Sequence, residues 1–174
     1  MPGALEIQAV GLDEIDTITA ILDEATLWVR GRGGQQWPLP FPRERLLERF
    51  AIGEVYLAWL DGAAVGTFSL QPADPLFWGA TLPDALYLHG LAVRRAVAGR
   101  GVGQQLMRWS EERVRAVGRQ YLRLDCQAGN PAIRRYYEQQ GFADRGEVVA
   151  YERRFRLLEK LVQPSLIEDV RMSV

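Results

Sequence analysis

Val93-Arg94-Arg95-Ala96-Val97-Ala98-Gly99-Arg100-Gly101-Val102-Gly103 is the stretch on which the reading of this chain turns. An apolar strand runs into a glycine-rich turn, and the turn opens a helix. Gly99, Gly101 and Gly103 lack Cβ atoms, so the backbone is free to take positive φ and to aim several N–H groups at one point. The helix that begins near Gly101 adds its unpaired first-turn donors and the positive end of its dipole. Arg100 brings a fixed positive charge to the same spot. Such an arrangement builds a phosphate cradle, although glycine clusters also make ordinary turns.

The common nucleotide fingerprints do not fit it. A dinucleotide turn needs G-x-G-x-x-G, and the third glycine falls on Gln104 when counted from Gly99 and on Leu106 when counted from Gly101. A P-loop needs G-K-[ST], and the only lysine is Lys160, far downstream. The cradle therefore points to another phosphorylated ligand.

At 174 residues and 48% apolar, the chain has the length and composition of one ordinary globular domain. No apolar run approaches the ~18 residues of a spanning helix, and Met1-Pro-Gly-Ala-Leu-Glu6 has neither the basic nor the apolar region of a secretion signal. Cys126 is the lone cysteine and His89 the lone histidine, so no internal disulfide and no Cys/His metal site is expected. A cytoplasmic, metal-free protein with no membrane partner is the default expectation. The net charge of −1 hides an asymmetry: residues 1–90 carry 12 acidic and 5 basic side chains, and residues 91–174 carry 10 acidic and 16 basic. Either a polyanionic ligand sits in the basic half and a cationic partner faces the acidic half, or both are solvated charge.

The elements alternate. Leu5–Val10 reads as a strand, and Leu12, Ile15, Ile18, Ile21, Leu22, Ala25 and Leu27 recur at helical spacing behind a possible cap at Asp13. A Gly/Pro-rich connection, Gly31 to Pro42, leads to a helix over Arg43–Ile52. Glu54–Leu60 and Ala63–Leu70 form a hairpin about Asp61-Gly62. Strand Ala85–Val93 enters the glycine turn, and the following helix is closed by Gly118. Tyr121–Cys126 is a strand, Pro131–Gln140 a helix behind the cap-like Asn130, and Gly146–Leu158 is extended.

This order, with two motifs, resembles the GCN5-related N-acetyltransferase (GNAT) family. Leu91-Ala92-Val93 followed by Gly99-Arg100-Gly101-Val102-Gly103 resembles the family's acetyl-CoA motif, [Q/R]-x-x-G-x-[G/A], with Ala98 in place of its first residue. Asn130-Pro-Ala-Ile133-Arg-Arg-Tyr136-Tyr137-Glu-Gln-Gln-Gly141-Phe142 resembles N-x-x-A-x-x-[L/F]-Y-x-x-x-G-F, with Ile133 where alanine is common. The resemblance covers residues 5–157, leaving 158–174 as a tail on a single domain over 1–174. It implies a mixed α/β fold: a twisted, mostly antiparallel central sheet, a splayed parallel pair formed by 85–93 and 121–126, and about four flanking helices.

The same resemblance implies an activity, transfer of an acetyl group from acetyl-CoA directly to a primary amine of a small molecule. The pantetheine would bond the backbone of Leu91 and Val93 in the gap between the splayed strands, with a β-bulge near His89-Gly90 opening it. Ala98, Gly99, Arg100, Gly101, Val102 and Gly103 would hold the pyrophosphate, and Asn130 would meet the pantetheine. A strand N–H near Leu91 or Ala92 would stabilise the oxyanion, and Tyr137 would protonate the departing thiolate unless Tyr136-Tyr137 are simply core aromatics. His89 is the candidate base by position and side-chain type, ahead of Asp125 and Glu54. Cys126 as an acyl carrier is disfavoured because the family transfers directly.

Trp28, Trp37 and Phe41 flank the flexible Gly-Arg-Gly-Gly segment and suit a lid over the acceptor, or else plug the core beneath a long loop. Asp23 and Glu24 belong to an acidic excess that favours a cationic amine. Other readings are a noncatalytic acyl-CoA sensor of the same fold, acetylation of a protein amine, and a nucleic-acid binder using Arg113, Arg115, Arg119 and Arg123. The last lacks interleaved aromatics or a recognised motif, so no nucleic-acid partner is expected. The sequence leaves room for a homodimer.

Overall fold

The structure, a computed structural model, describes residues 3–164. Residues 165–174 of the expected tail lie outside the described residues. In chain order the elements are β1 (Glu6–Ala9), α1 (Ile15–Gly31), α2 (Arg43–Ile52), β2 (Glu54–Leu60), β3 (Ala63–Gln71), α3 (Pro75–Trp78), β4 (Ala85–Val93), α4 (Val102–Ala116), β5 (Tyr121–Gln127), α5 (Pro131–Gln139), β6 (Ala143–Ala150) and β7 (Arg153–Leu161). The mixed, mostly antiparallel α/β class is the expected one, with five helices against an expectation of about four. The additional helix is α3, a single turn in a proline-rich loop. Asp74 caps it, its Oδ1 accepting the Phe77 N–H at 3.4 Å, and Pro75 fills the first position, where no N–H is needed.

Two compact units emerge, one of Met1–Pro72 with Tyr87–Arg108 and one of Ala73–Leu86 with Trp109–Val174. In the first, β1, β2, β3 and β4 are antiparallel neighbours in that order. Ile15, Ile18, Ile21 and Leu22 form the buried stripe of α1 and meet Val55 and Leu57 of β2 and Ala92 of β4. Each of these buried Ile, Leu and Val side chains stabilises the fold by about 1.5–3 kcal/mol. The expected cap at Asp13 is absent: residues Leu12–Glu14 form a 3-10 turn with no side-chain cap ahead of α1. Asp61 and Gly62, at φ 50° and 80°, make the β2–β3 turn as their sequence requires.

The pairing of β3 with β4 contains the expected bulge. Thr67 faces Ala92 and Ser69 faces His89, so Phe68 alone stands opposite Gly90 and Leu91. Gly90 takes φ 61°, the backbone that accommodates the additional residue.

In the second unit β7 lies between β5 and β6, antiparallel to both. Arg123 stands directly across from Glu159, and its Nε donates to Glu159 Oε2 at 2.7 Å while Nη1 reaches Asp84 Oδ1 at 3.0 Å. Arg123 and Glu159 are both buried, so deleting one partner strands a charge at a cost of about 3–5 kcal/mol. The Asp84 carbonyl accepts the N–H groups of Gln120 and Tyr121, so β4 and β5 set out from one point as the parallel pair among otherwise antiparallel strands. Helix α4 ends as expected at Gly118, whose N–H donates to the Arg115 carbonyl while that of Arg119 reaches Val114. The extended stretch expected over 146–158 is instead two strands folded at Tyr151-Glu152, and β7 carries residues 158–161, placed in the tail by sequence. No helix among the described residues is long and apolar enough to cross a membrane.

Candidate functional site

β4 delivers the chain to the glycine turn through a fixed path. The Arg94 N–H donates to the Val65 carbonyl at 2.7 Å, its Nε donates to the Ala64 carbonyl at 3.0 Å, and its Nη1 lies 3.7 Å from Glu24 Oε2. A 3-10 turn over Arg95–Val97 follows, closed by the Ala98 N–H on the Arg95 carbonyl. Val97 and Val102 are buried and pin the turn at both ends, leaving Gly99, Arg100 and Gly101 exposed between them.

Gly99 and Gly101 both sit at φ 76°, and a Cβ on either would meet nothing within 4 Å. Gly103 differs from expectation: it lies inside α4 and does not take positive φ. The first backbone bond across the entrance of α4 runs from the Gln105 N–H to the Gly101 carbonyl at 3.1 Å, so the donors of Val102, Gly103 and Gln104 precede the helical ladder. Positive-φ backbone, open space, a helix start and Arg100 converge within five residues. Such a place can hold an anion by its backbone.

On the same unit, Leu91 is part of the bulge, Ala92 is buried against α1, and Val93 pairs with Gly66. His89 is half-buried beside the bulge, its carbonyl accepting the Ser69 hydroxyl at 3.4 Å. Glu54, the weaker alternative base, is engaged by the Tyr56 hydroxyl.

The expected lid aromatics separate. Phe41 is 3% exposed and belongs to the core under α1, its N–H fastened to Asp23 Oδ1 at 2.8 Å. Trp37 packs on that core and meets Phe41 edge-on at 6.1 Å. The loop is thus stapled down by Phe41 and Trp37, as in the core-plug alternative. Trp28 is exposed, with the guanidinium carbons of Arg95 and Arg32 at 3.9 and 4.5 Å from its ring centre. Asp23 accepts the Phe41 N–H, and Glu24 faces Arg94 across an ion pair of 3.7 Å in which its Oε2 takes no hydrogen bond.

In the second unit, Asn130 caps α5 as expected, Oδ1 accepting the Ile133 N–H at 3.2 Å. Tyr137 is buried on α5, with edge-on rings from Tyr136 at 5.3 Å and Phe142 at 5.7 Å. Burial first, and then the neighbouring Tyr136, Cys126 and Asp125, push its hydroxyl far above the ordinary phenol range, so it stays protonated. Cys126 is buried and its thiol is pushed up to about 11 by burial and the nearby Asp125 and Asp144 carboxylates, the opposite of a reactive thiolate. Asp125 is half-buried, and its carboxylate approaches that of buried Asp74 to within 4.8 Å. Arg123 is consumed by Glu159 and Asp84, Arg119 donates to the Ala85 carbonyl, and Arg115 holds Glu112 and the Gln163 carbonyl. These arginines serve the protein's own groups.

Arg49 is the residue the sequence did not single out. It belongs to the last turn of α2, is half-buried, and lies against the β4 bulge with its guanidinium carbon 5.0 Å from the Phe41 ring centre. On an amphipathic helix with three arginines, Arg49 reads as solvated charge like Arg43 and Arg45, and only the folded bulge sets it apart.

Known proteins align with this geometry. The family model described as the acetyltransferase (GNAT) family matches residues 20–142, a span that takes in both the glycine turn and α5. The uncharacterized N-acetyltransferase YesJ of Bacillus subtilis (strain 168) is 29% identical over 139 residues, covering 75% of this chain and 77% of that protein. A GNAT-family acetyltransferase of Listeria monocytogenes superposes with a TM-score of 0.75 at 22% identity, covering 92% of this chain and 99% of the other. The Salmonella typhimurium protein yncA, solved with its cofactor acetyl-CoA, gives a TM-score of 0.66 at 16% identity over 94% and 96% of the two chains.

Proposed function

The chain belongs to the acetyltransferase (GNAT) family, and from that premise we propose that it acts as one domain in the cytoplasm, moving an acetyl group from acetyl-CoA to a primary amine of a small molecule. The observation that carries the reading is the turn at 98–103, where Gly99 and Gly101 hold φ 76° with open space above them at the entrance of α4. The acetyl-CoA bound by the neighbour from Salmonella supports the same co-substrate here. Acetyl-CoA supplies a thioester, an acyl group already activated for attack by an amine.

The chain's own residues then have the following roles. Gly99 to Gly103 bind the diphosphate through backbone N–H groups, with Arg100 adding charge and Ala98 leaving the cradle to the backbone alone. Leu91 and Val93 bond the pantetheine amides, and a backbone N–H at Leu91 or Ala92 faces the developing oxyanion. Asn130 combines its cap with a contact to the pantetheine. Tyr137, kept neutral by burial, donates its proton to the departing sulfur. His89, beside the bulge, accepts the proton that the amine loses. Trp28 and Trp37 border the acceptor from the first unit.

A panel of small amines incubated with acetyl-CoA, read by release of the CoA thiol, tests this reading. Turnover with at least one amine, absent without it, is the expected result. Binding of acetyl-CoA with no thiol release from any amine or peptide amine overturns it in favour of a sensor, and acetylation of a protein amine alone overturns the small-molecule acceptor.

A further inference from the structure

We propose that Arg95 and Arg32, mounted on the Trp28 ring, bind the 3′-phosphate of acetyl-CoA, so that the donor is selected by a phosphate lying outside the glycine turn. This inference rests on the reading of 98–103 as the diphosphate cradle.

The neighbours Arg94 and Arg95 part company at the end of β4. The Arg94 side chain turns back to the Ala64 carbonyl and Glu24, whereas that of Arg95 lies on Trp28 with its guanidinium carbon 3.9 Å from the ring centre. Arg32 follows Trp28 by four residues at the C-cap of α1, a spacing that brings side chains on a helix together, and its guanidinium carbon is 4.5 Å from the same ring centre. Both arginines are exposed, as is Arg100 in the turn itself, and the Trp28 ring is open to solvent. Among the described residues no carboxylate pairs with any of these three cations, whereas Arg94, Arg123 and Arg145 each face one.

Two like charges brought onto one ring repel each other, and the indole face offsets only part of that. An anion from outside would offset the rest, and the position of the pair selects which. Arg95 opens the 3-10 turn whose closing bond runs from the Ala98 N–H to the Arg95 carbonyl, so its backbone is fixed one short turn ahead of Gly99. Acetyl-CoA carries its third phosphate on the ribose beside the diphosphate, and a diphosphate held at 99–103 brings that group to the flank of the turn. The guanidinium fork matches phosphate oxygens. Ala98 stands where the family's motif carries Gln or Arg, and Arg95, three residues earlier, is the cation this chain supplies. Trp28 acts as a positioning residue for both guanidinium groups.

Calorimetric titration of acetyl-CoA and of 3′-dephospho-acetyl-CoA tests the site. Wild type is expected to bind acetyl-CoA about 10- to 100-fold more tightly, the scale of a charge-assisted hydrogen bond. Arg95→Gln is expected to shrink that ratio by weakening acetyl-CoA, and the double variant Arg32→Gln/Arg95→Gln to bring it close to one. Trp28→Ala keeps both charges but removes their platform, and is expected to fall between wild type and the double variant. Circular dichroism checks each fold, and the wild-type comparison stands without any variant. Equal affinities in wild type, or variants that weaken both ligands by the same factor, would overturn the 3′-phosphate site while leaving the diphosphate cradle intact. Failure of both ligands to bind wild type would overturn both.

Discussion

Asn130 Oδ1 accepts the Ile133 N–H at 3.2 Å, and this bond fixes the first turn of the helix that carries Tyr137. The cap satisfies a donor that the helix leaves without a partner, with Pro131 occupying the position that needs none. Asn130→Ala should lower stability by about 1 kcal/mol, whereas Asn130→Asp should retain most of it. Urea melts of the two variants check this; equal midpoints would show that the cap is inert.

Tyr137→Phe should lower kcat by roughly 10- to 100-fold and leave the acetyl-CoA KM nearly unchanged, because only a hydrogen bond to the leaving sulfur is lost and water partly replaces it. Since burial holds the hydroxyl protonated well beyond the ordinary phenol range, the wild-type profile of kcat should show no descending limb from Tyr137 in mildly alkaline solution. Steady-state kinetics of the phenylalanine variant decide the matter, and unchanged turnover returns Tyr137 to the aromatic core.

Cys126 should be chemically quiet. Its folded thiol sits at about 11 against an ordinary 9.0, so between those values the unfolded chain gives up its proton while the folded chain keeps it. The folded state then binds more protons, and stability falls as pH rises through that window; below pH 9 the contribution is fully present. The difference amounts to about 2–3 kcal/mol at most by pH 11. Denaturant melts at pH 8 and pH 10.5 should show wild type losing more than Cys126→Ala, and iodoacetamide should leave the native thiol unmodified at pH 8. Rapid alkylation of the folded protein would contradict the burial.

Phe41→Ala should destabilise by about 3–5 kcal/mol, as removal of a buried ring from a packed core does. Trp28→Ala, at an exposed position, should cost far less. Thermal melts of both variants rank them. Similar losses would mean that the loop over 32–42 is not fastened through Phe41.

Much of this was legible in the chain, and the failures have physical causes. Asp61-Gly62 announced its hairpin because both residues tolerate positive φ, and the glycines at 90, 99 and 101 marked backbone that other residues avoid. The β6–β7 turn left no such mark: Tyr151 and Glu152 take φ 51° and 60°, positions forced on them by the pairing of the flanking strands. Of the two readings left open for Phe41, lid or core plug, sequence could not choose, because which one applies depends on a loop that folds back and is tied to Asp23. Arg49 was silent for the same reason, its meaning depending on a bulge in a strand some forty positions away in sequence.

Acetyl-CoA binding at the glycine turn is the claim on which the rest depends, and calorimetric titration of acetyl-CoA into wild type and Gly101→Val tests it most directly. Valine cannot readily hold φ 76° and places methyl groups in space that is open above Gly101, so it should block backbone approach to the diphosphate. The account predicts saturable binding to wild type and at least about a tenfold loss of affinity in a variant whose circular dichroism remains native, the loss of one or more charge-assisted backbone bonds. Unchanged affinity in that folded variant would contradict it.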